Sequence, residues 1–271
     1  MKIINILNHN AVLVHDQARD QILLVLFTGI GFGKKLSQEI EIPNDAKIYH
    51  LEKTNSKGAT QAMLHKIDPI YIEISGEILD EAKKEFGTID ENILLPLADN
   101  IAFAISRLNQ NVSISNPFGN EIRLLYPEAY KIALETMPMI EDRLNVRLSE
   151  DEVGYIALHI HASADYSNQE GMVVAIIINE SIHDIGSEFG KEIDVNSLSY
   201  SRLMVHMKYL LARLKENEVL SLDMESFTKS TMPRSYEVAE KIIRKIEGAL
   251  GKRVPKVETG YLAVHIERIL N

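Results

Sequence analysis

The chain has 271 residues, enough for about two domains at ~100–200 residues each, and its 45% apolar and 25% charged content excludes wholesale disorder. It contains no cysteine, which removes disulfides, thiolate metal sites and cysteine nucleophiles and fits a reducing cytoplasm. A net charge of −10 gives no general reason to bind nucleic acid, so any such contact has to be local. The longest apolar runs, Gln21–Phe27 and Met172–Ile178, fall well short of the ~18–20 residues of a membrane helix. The first residues are strand-like and lack a long apolar segment or cleavage site, so no signal peptide is expected.

In chain order, Met1–Leu7 and Ala11–His15 read as short strands around Asn8-His9-Asn10, a turn composition. Gln21–Phe27 is a nearly continuous apolar strand, followed by Thr28-Gly29-Ile30-Gly31-Phe32-Gly33 with glycines at alternate positions, and Lys47–Glu52 supplies a fourth strand. Four strands in under about sixty residues make a sheet whose own core is marginal, a problem that pairing with a second copy solves. From Thr60 onward the apolar residues recur with helical period: Ile70, Ile74, Ile78 and Leu79, then Leu95, Ile101, Ala102, Ile105 and Leu108. Leu198, Leu203, Met207, Leu210, Leu211 and Leu214 do the same. Pro117, Pro127, Pro138 and Pro233 read as helix entries or breaks, and the polar stretch Asp165–Gly171 reads as a linker. The charge is uneven: residues 1–57 carry 7 basic and 6 acidic side chains, whereas 58–165 carry 8 and 18.

The chain repeats itself. Glu152-Val-Gly-Tyr155-Ile-Ala-Leu-His159-Ile160 returns as Glu258-Thr-Gly-Tyr261-Leu-Ala-Val-His265-Ile266, an offset of 106. The same offset pairs Arg107 with Arg213, Pro127 with Pro233, Tyr130 with Tyr236, Ile140 with Ile246 and Arg147 with Arg253. The predicted organisation is therefore a small antiparallel all-β head, 1–57, and two duplicated all-α helical bundles, 60–165 and 171–271.

The repeat makes the histidines informative. His159 and His265 are equivalent, while His206 falls on Asn100, so one of two histidine positions, 59 residues apart, is lost from the first body. A lone histidine is usually structural, but a duplicated one inside an apolar helical stretch asks for a role. Metal binding needs three or four convergent ligands, and no such spacing recurs in both copies. His161 is matched by Glu267 and diverges from His159 on a helix. A reversible phosphoryl acceptor needs only a partly exposed imidazole and a nearby cation. Arg107 and Arg213, seven residues after Asn100 and His206, stand on the same helix face to supply it.

These features together resemble the BglG/SacY family of transcriptional antiterminators: the strand-rich head with Asn8 and Asn10 and Gly-Ile-Gly-Phe-Gly-Lys-Lys at 29–35, then two bodies carrying Gly-Tyr-[Ile/Leu]-Ala-[Leu/Val]-His-Ile. The resemblance covers essentially the whole chain. Asn116-Pro117-Phe118 and Leu125-Tyr126-Pro127 look closest to its glucose-responsive branch. It implies a homodimeric head that grips an RNA hairpin in nascent messenger RNA, so that the overlapping terminator cannot form. It implies phosphotransferase-system regulation domains whose histidines, here His159, His206 and His265, take phosphoryl groups from the phosphocarrier protein HPr or a sugar-specific enzyme II. Phosphorylation of the first body generally inhibits in this family, and that of the second often activates. No cofactor, metal or membrane insertion is implied, and the chain is expected to be a cytoplasmic regulator rather than an enzyme.

In the head, Asn8, Asn10, Thr28, Gly29, Phe32 and Lys34 are the candidate RNA contacts: amides for base edges, a ring for stacking and glycines for close backbone approach. Two departures stand out. Relatives carry Gly-[Arg/Lys]-Gly where this chain has Phe27-Thr28-Gly29, which removes a cation and leaves phosphate contact to Lys2, Lys34 and Lys35. Asn100, the lost acceptor position, leaves the usual inhibitory route to His159 alone. Two other readings compete. A histidine-dependent phosphotransferase enzyme lacks a phosphate-cradling GxxxxGK[ST] loop, and a phosphotransferase-regulated DNA-binding activator needs a helix-turn-helix where the head reads as strands.

Overall fold

The computed structural model describes residues 1–50, 66–112, 116–164 and 171–270. Strands β1 (Lys2–Ile6), β2 (Ala11–Asp16), β3 (Gln21–Leu26) and β4 (Lys47–His50) form one antiparallel sheet in chain order, with an irregularity between Ile3 and Asn5. The expected fourth-strand residues Leu51 and Glu52, the head–body boundary, and linker residues 165–170 lie outside the described residues.

Both sheet faces are covered. Ile3, Val12, Val14, Leu23, Val25, Ile30 and Ile40 form a core on one face, with Phe27 packed against it. Alternation puts Leu24, Leu26 and Tyr49 on the other face, which explains why β2 and β3 are apolar throughout rather than alternating. That second face meets helix α1 (Pro69–Phe86): a Cβ on Gly76 would lie 2.9 Å from the Tyr49 hydroxyl and 3.2 Å from Leu26 Cδ1. Lys47 of β4 pairs with Asp80 of the same helix. A small sheet needs a second surface, and α1 supplies one. Asp68 caps α1 by accepting from Ile70 N–H at 3.0 Å, Pro69 opens it, and Gly87 ends it at φ 78°.

The remaining helices are α2 (Leu94–Asn109), α3 (Gly119–Leu125), α4 (Pro127–Leu144), α5 (Glu150–Ala164), α6 (Gly171–Phe189), α7 (Leu198–Glu216), α8 (Glu225–Thr231), α9 (Pro233–Leu250) and α10 (Lys256–Leu270). A 3-10 turn, Glu91–Ile93, precedes α2. Pro127 and Pro233 open α4 and α9 as their positions predict. Pro138 does not break α4. It sits on the exposed face, where the carbonyl one turn back, on exposed Leu134, can be hydrated.

By contact the chain divides into two compact units, Met1–Ser115 with Glu128–Ser167, and Asn116–Pro127 with Asn168–Asn271. The segment Asn116–Pro127 belongs to the first body by the repeat, yet packs within the second unit. There α3 lies on α6 and α7, whereas its repeat equivalent α8 lies on α9 and α10. Buried Glu121 anchors α3: the Tyr200 hydroxyl donates to its carboxylate at 2.6 Å, and Asn179 Nδ2 donates to the Pro117 carbonyl at 3.1 Å.

Candidate functional site

In the second unit α7 presents His206 and α10 presents His265. Their rings stack with centroids 4.7 Å apart, and Tyr261 lies parallel to His206 at 6.5 Å. Ser197 starts α7 by accepting from Tyr200 N–H, and Asn217 in the left-handed region ends it, fixing the helix ends around the site. Arg213 holds the buried carboxylate of Glu258 with both ends of its fork, Nε to Oε1 at 2.7 Å and Nη2 to Oε2 at 2.8 Å. His206 is only 8% exposed, and its Nε2 has no hydrogen-bond partner.

Burial, followed by His265 and Arg213, pushes the His206 pKa down to about 3. At neutral pH the ring is therefore uncharged, so the 3.9 Å approach of its Nε2 to Glu258 is not an ion pair. Burial also lowers His265, helped by Arg268 and Arg202. Those two arginines and Arg213 line one open cavity with both histidines. The result is a pair of neutral imidazoles beside three guanidinium groups, chemistry suited to an incoming phosphoryl group.

The first unit keeps the frame and loses the contents. Arg107 holds buried Glu152 through Nη2 alone, at 2.7 and 2.8 Å, leaving its buried Nε without a hydrogen-bond partner, and its guanidinium also covers the Phe103 ring at 4.4 Å. Asn100 stands in the His206 position with a buried Oδ1 that has no hydrogen-bond partner. Burial lowers the His159 pKa, opposed in part by Asp99. At the offset of 106, Arg202 and Arg268 fall on Pro96 and Ala162, so neither extra cation exists here.

The sequence points to the histidines, and to Arg107 and Arg213 as cations available to a phosphoryl group. Each arginine is instead committed to a buried glutamate. Glu152 and Glu258 were visible as matched residues of the repeat, and Arg202 and Arg268 as helical neighbours of His206 and His265 at four and three residues.

In the head, Asn8 and Asn10 form the β1–β2 turn. Asn10 N–H donates to Asn8 Oδ1 at 2.7 Å, and Gly29 N–H donates to Asn10 Oδ1 at 2.9 Å. Gly31 is obligatory, since a Cβ there would lie 2.2 Å from the Asn8 carbonyl oxygen. Phe32 is 68% exposed, held edge-on by His9 at 5.2 Å, and Thr28, Gly29, Lys34 and Lys35 are exposed beside it. The candidate RNA residues thus share one surface loop cluster. The structure brings one more group to it that the sequence did not suggest, the Glu73 carboxylate of α1, bound to Asn8 Nδ2 at 2.7 Å.

A sheet-built head with half-buried amides and an exposed ring in one loop cluster, ahead of duplicated histidine-bearing helical units, defines a class of protein: a nucleic-acid-binding module joined to duplicated helical regulation domains. Comparison with known families agrees. Residues 1–58 match the CAT RNA binding domain, and residues 76–163 and 179–269 match the PRD domain. The GlcA/glcB genes antiterminator of Staphylococcus carnosus (strain TM300) is 32% identical over 266 residues, covering 96% of this chain and 92% of the relative. Protein GlcT of Staphylococcus aureus (strain bovine RF122 / ET3-1) is 32% identical over 269 residues, covering 96% and 93%. The crystal structure of GlcT CAT-PRDI aligns with a TM-score of 0.53 at 32% identity, covering 60% of this chain and 97% of that one. The chain belongs to the family of antiterminators that carry a CAT RNA binding domain and two PRD domains. Among the described residues, no helix is long and apolar enough to cross a membrane.

Proposed function

We propose that this protein is a sugar-responsive transcriptional antiterminator. Its head binds a hairpin in a messenger leader, and the phosphotransferase system gates it by phosphorylating histidines. The observation that carries the regulatory half is the His206–His265 pair with Arg202, Arg213 and Arg268 around it. The acceptors are His206 and His265 in the second unit and His159 alone in the first. The donors are HPr and a sugar-specific enzyme II, the working form is a cytoplasmic homodimer, and the protein has no catalytic role of its own.

The chemistry follows from the ring states. A neutral imidazole nitrogen attacks phosphorus, the new P–N bond forms as the bond from phosphorus to the donor's carrier side chain breaks and that side chain leaves, and the proton stays on the other ring nitrogen. His265 is the more accessible ring, whereas His206 Nε2 is buried. A phosphoryl group on that atom would sit beside the Glu258 carboxylate, bringing two anions into a low-dielectric site. Arg213 is the group that can change partners, from Glu258 to phosphate, and such an exchange loosens α7 against α10. This gives phosphorylation a mechanical outlet at each copy of the dimer.

The test is incubation of the full chain with phosphorylated HPr, followed by peptide mapping. Label is expected on His206 or His265, is lost in the His206→Ala/His265→Ala double variant, and persists there in His159→Ala. Undiminished label in the double variant, with the fold retained by circular dichroism, means the acceptors are misassigned.

A further inference from the structure

Asn8 and Asn10 each have both the carbonyl and the NH2 of the side chain in contact with other groups of this chain. Both side-chain carbonyls accept from backbone N–H groups, Asn10 N–H on Asn8 Oδ1 and Gly29 N–H on Asn10 Oδ1. Both side-chain NH2 groups point at a single carboxylate: Asn8 Nδ2 donates to Glu73 Oε1 at 2.7 Å, and Asn10 Nδ2 approaches Oε2 at 3.4 Å. The same Oε2 accepts from Arg143 Nη2 at 2.9 Å, and Arg143 also reaches Glu77 through Nη1. Glu73 is thus pulled from two sides, by the head's amides and by the body's arginine.

The acceptors an RNA offers are base carbonyls, ring nitrogens, sugar oxygens and phosphate oxygens. A carboxylate presents the same kind of atom to the same N–H groups, already in place and covalently tethered, with a negative charge that also opposes the phosphate backbone. We propose that Glu73 is an intramolecular competitor of RNA, occupying the donors of Asn8 and Asn10 until the first helical body moves away from the head. The inference rests on the reading of Asn8 and Asn10 as RNA contacts and adds to it how that site is regulated. Arg143 sets the direction of release. It keeps Glu73 with α1 and α4, so a shift of those helices takes the carboxylate off the asparagines without stranding its charge.

The experiment measures binding of the full-length chain to an RNA hairpin selected from a random pool by the same full-length chain. Glu73→Gln and Glu73→Ala are compared with wild type, Glu77→Gln and Asn8→Ala/Asn10→Ala. Removing one like charge together with the competing acceptor is expected to tighten binding about tenfold in both Glu73 variants. Glu77→Gln deletes an equal charge one turn on without touching the asparagines, and is expected to stay within about twofold. Unchanged or weaker binding by both Glu73 variants overturns the competitor, as does an equal gain in Glu77→Gln, which would make the effect one of general charge. If the Asn8→Ala/Asn10→Ala variant binds as well as wild type, the RNA assignment of these residues is wrong and the competitor falls with it. If that variant loses binding while Glu73→Gln changes nothing, the RNA reading stands and the competitor alone is wrong.

Discussion

The two helical bodies share one frame and differ in what the frame holds. In both, an arginine on one helix grips both oxygens of a buried glutamate on another, Arg213 through Nε and Nη2 on Glu258 and Arg107 through Nη2 alone on Glu152. Around the second clamp lie two stacked imidazoles and two further arginines. At the repeat-equivalent positions of the first body stand one histidine, an asparagine, a proline and an alanine. The clamp is retained because a buried carboxylate without its cation is costly wherever it sits. The histidines and outer arginines are under no such structural demand. On the function proposed above, the second body is the complete phosphoryl-accepting site, and the first keeps only the scaffold and His159.

The largest effects test the shared part. Arg213→Met or Arg107→Met leaves a buried carboxylate unpaired, and each should destabilise its own unit by about 3–5 kcal/mol. Adding Glu258→Gln or Glu152→Gln should recover much of that loss. Denaturant unfolding followed separately for each unit checks this, and a small cost in one unit alone would show that the clamps are not equivalent.

A smaller effect tests the difference. The His206 pKa lies near 3 in the folded chain against ~6.5 for a free histidine, so between those values the unfolded state binds the extra proton. Stability therefore rises with pH across this window and falls as the solution is acidified. From pH 7 to pH 5 His206 should remove about 2 kcal/mol from the second unit. His206→Asn, which copies the first body at this position, should remove the His206 part of that slope and leave the smaller part due to His265. His159 and His265 are both lowered and contribute in the same sense to their own units, so a residual slope of that sign is expected in the variant. An undiminished slope in the variant would place the dominant titrating group elsewhere.

The smallest effect rebuilds what is missing. Asn100→His restores an imidazole in the first body and is expected to create a labelled position on α2 in the presence of phosphorylated enzyme II. Two absent cations at about 0.5–1 kcal/mol each leave that labelling about tenfold weaker than in the second body. Ala162→Arg in the same chain should raise it. In a terminator–reporter assay the natural chain should show weak negative control and Asn100→His should restore sugar-dependent inhibition. Full repression of the natural chain without sugar, and equally of His159→Ala, would contradict this reading of Asn100.

Much of the fold was legible because its signals run along the chain. The switch from strand runs to a 3.6-residue period after the head, and the match of Gly154-Tyr155 with Gly260-Tyr261, depend on neighbours in sequence only. The candidate site was half legible. His206 and His265 emerged from the repeat, but the occupation of Arg107 and Arg213 by Glu152 and Glu258 did not, because pairing spans 45 residues and leaves no local trace. Pro138 shows the opposite: a proline locally signals a break, and the exposed position that makes it tolerable inside α4 leaves no mark in the sequence.

By itself the sequence determined that the chain has a β head, two copies of one helical body, and an imbalance of histidines and arginines between the copies. Periodicity and self-similarity are linear properties, and they survive without knowledge of any contact. Only the tertiary structure decided that Asn116–Pro127 leaves its own repeat to pack in the second unit, where Tyr200 satisfies the buried Glu121. Only the tertiary structure, too, set Glu73 against Asn8 and Asn10, 65 and 63 residues away. Such choices rest on which of several surfaces best covers an apolar helix face and completes the hydrogen bonds of a buried charge, a competition settled among residues distant in the chain.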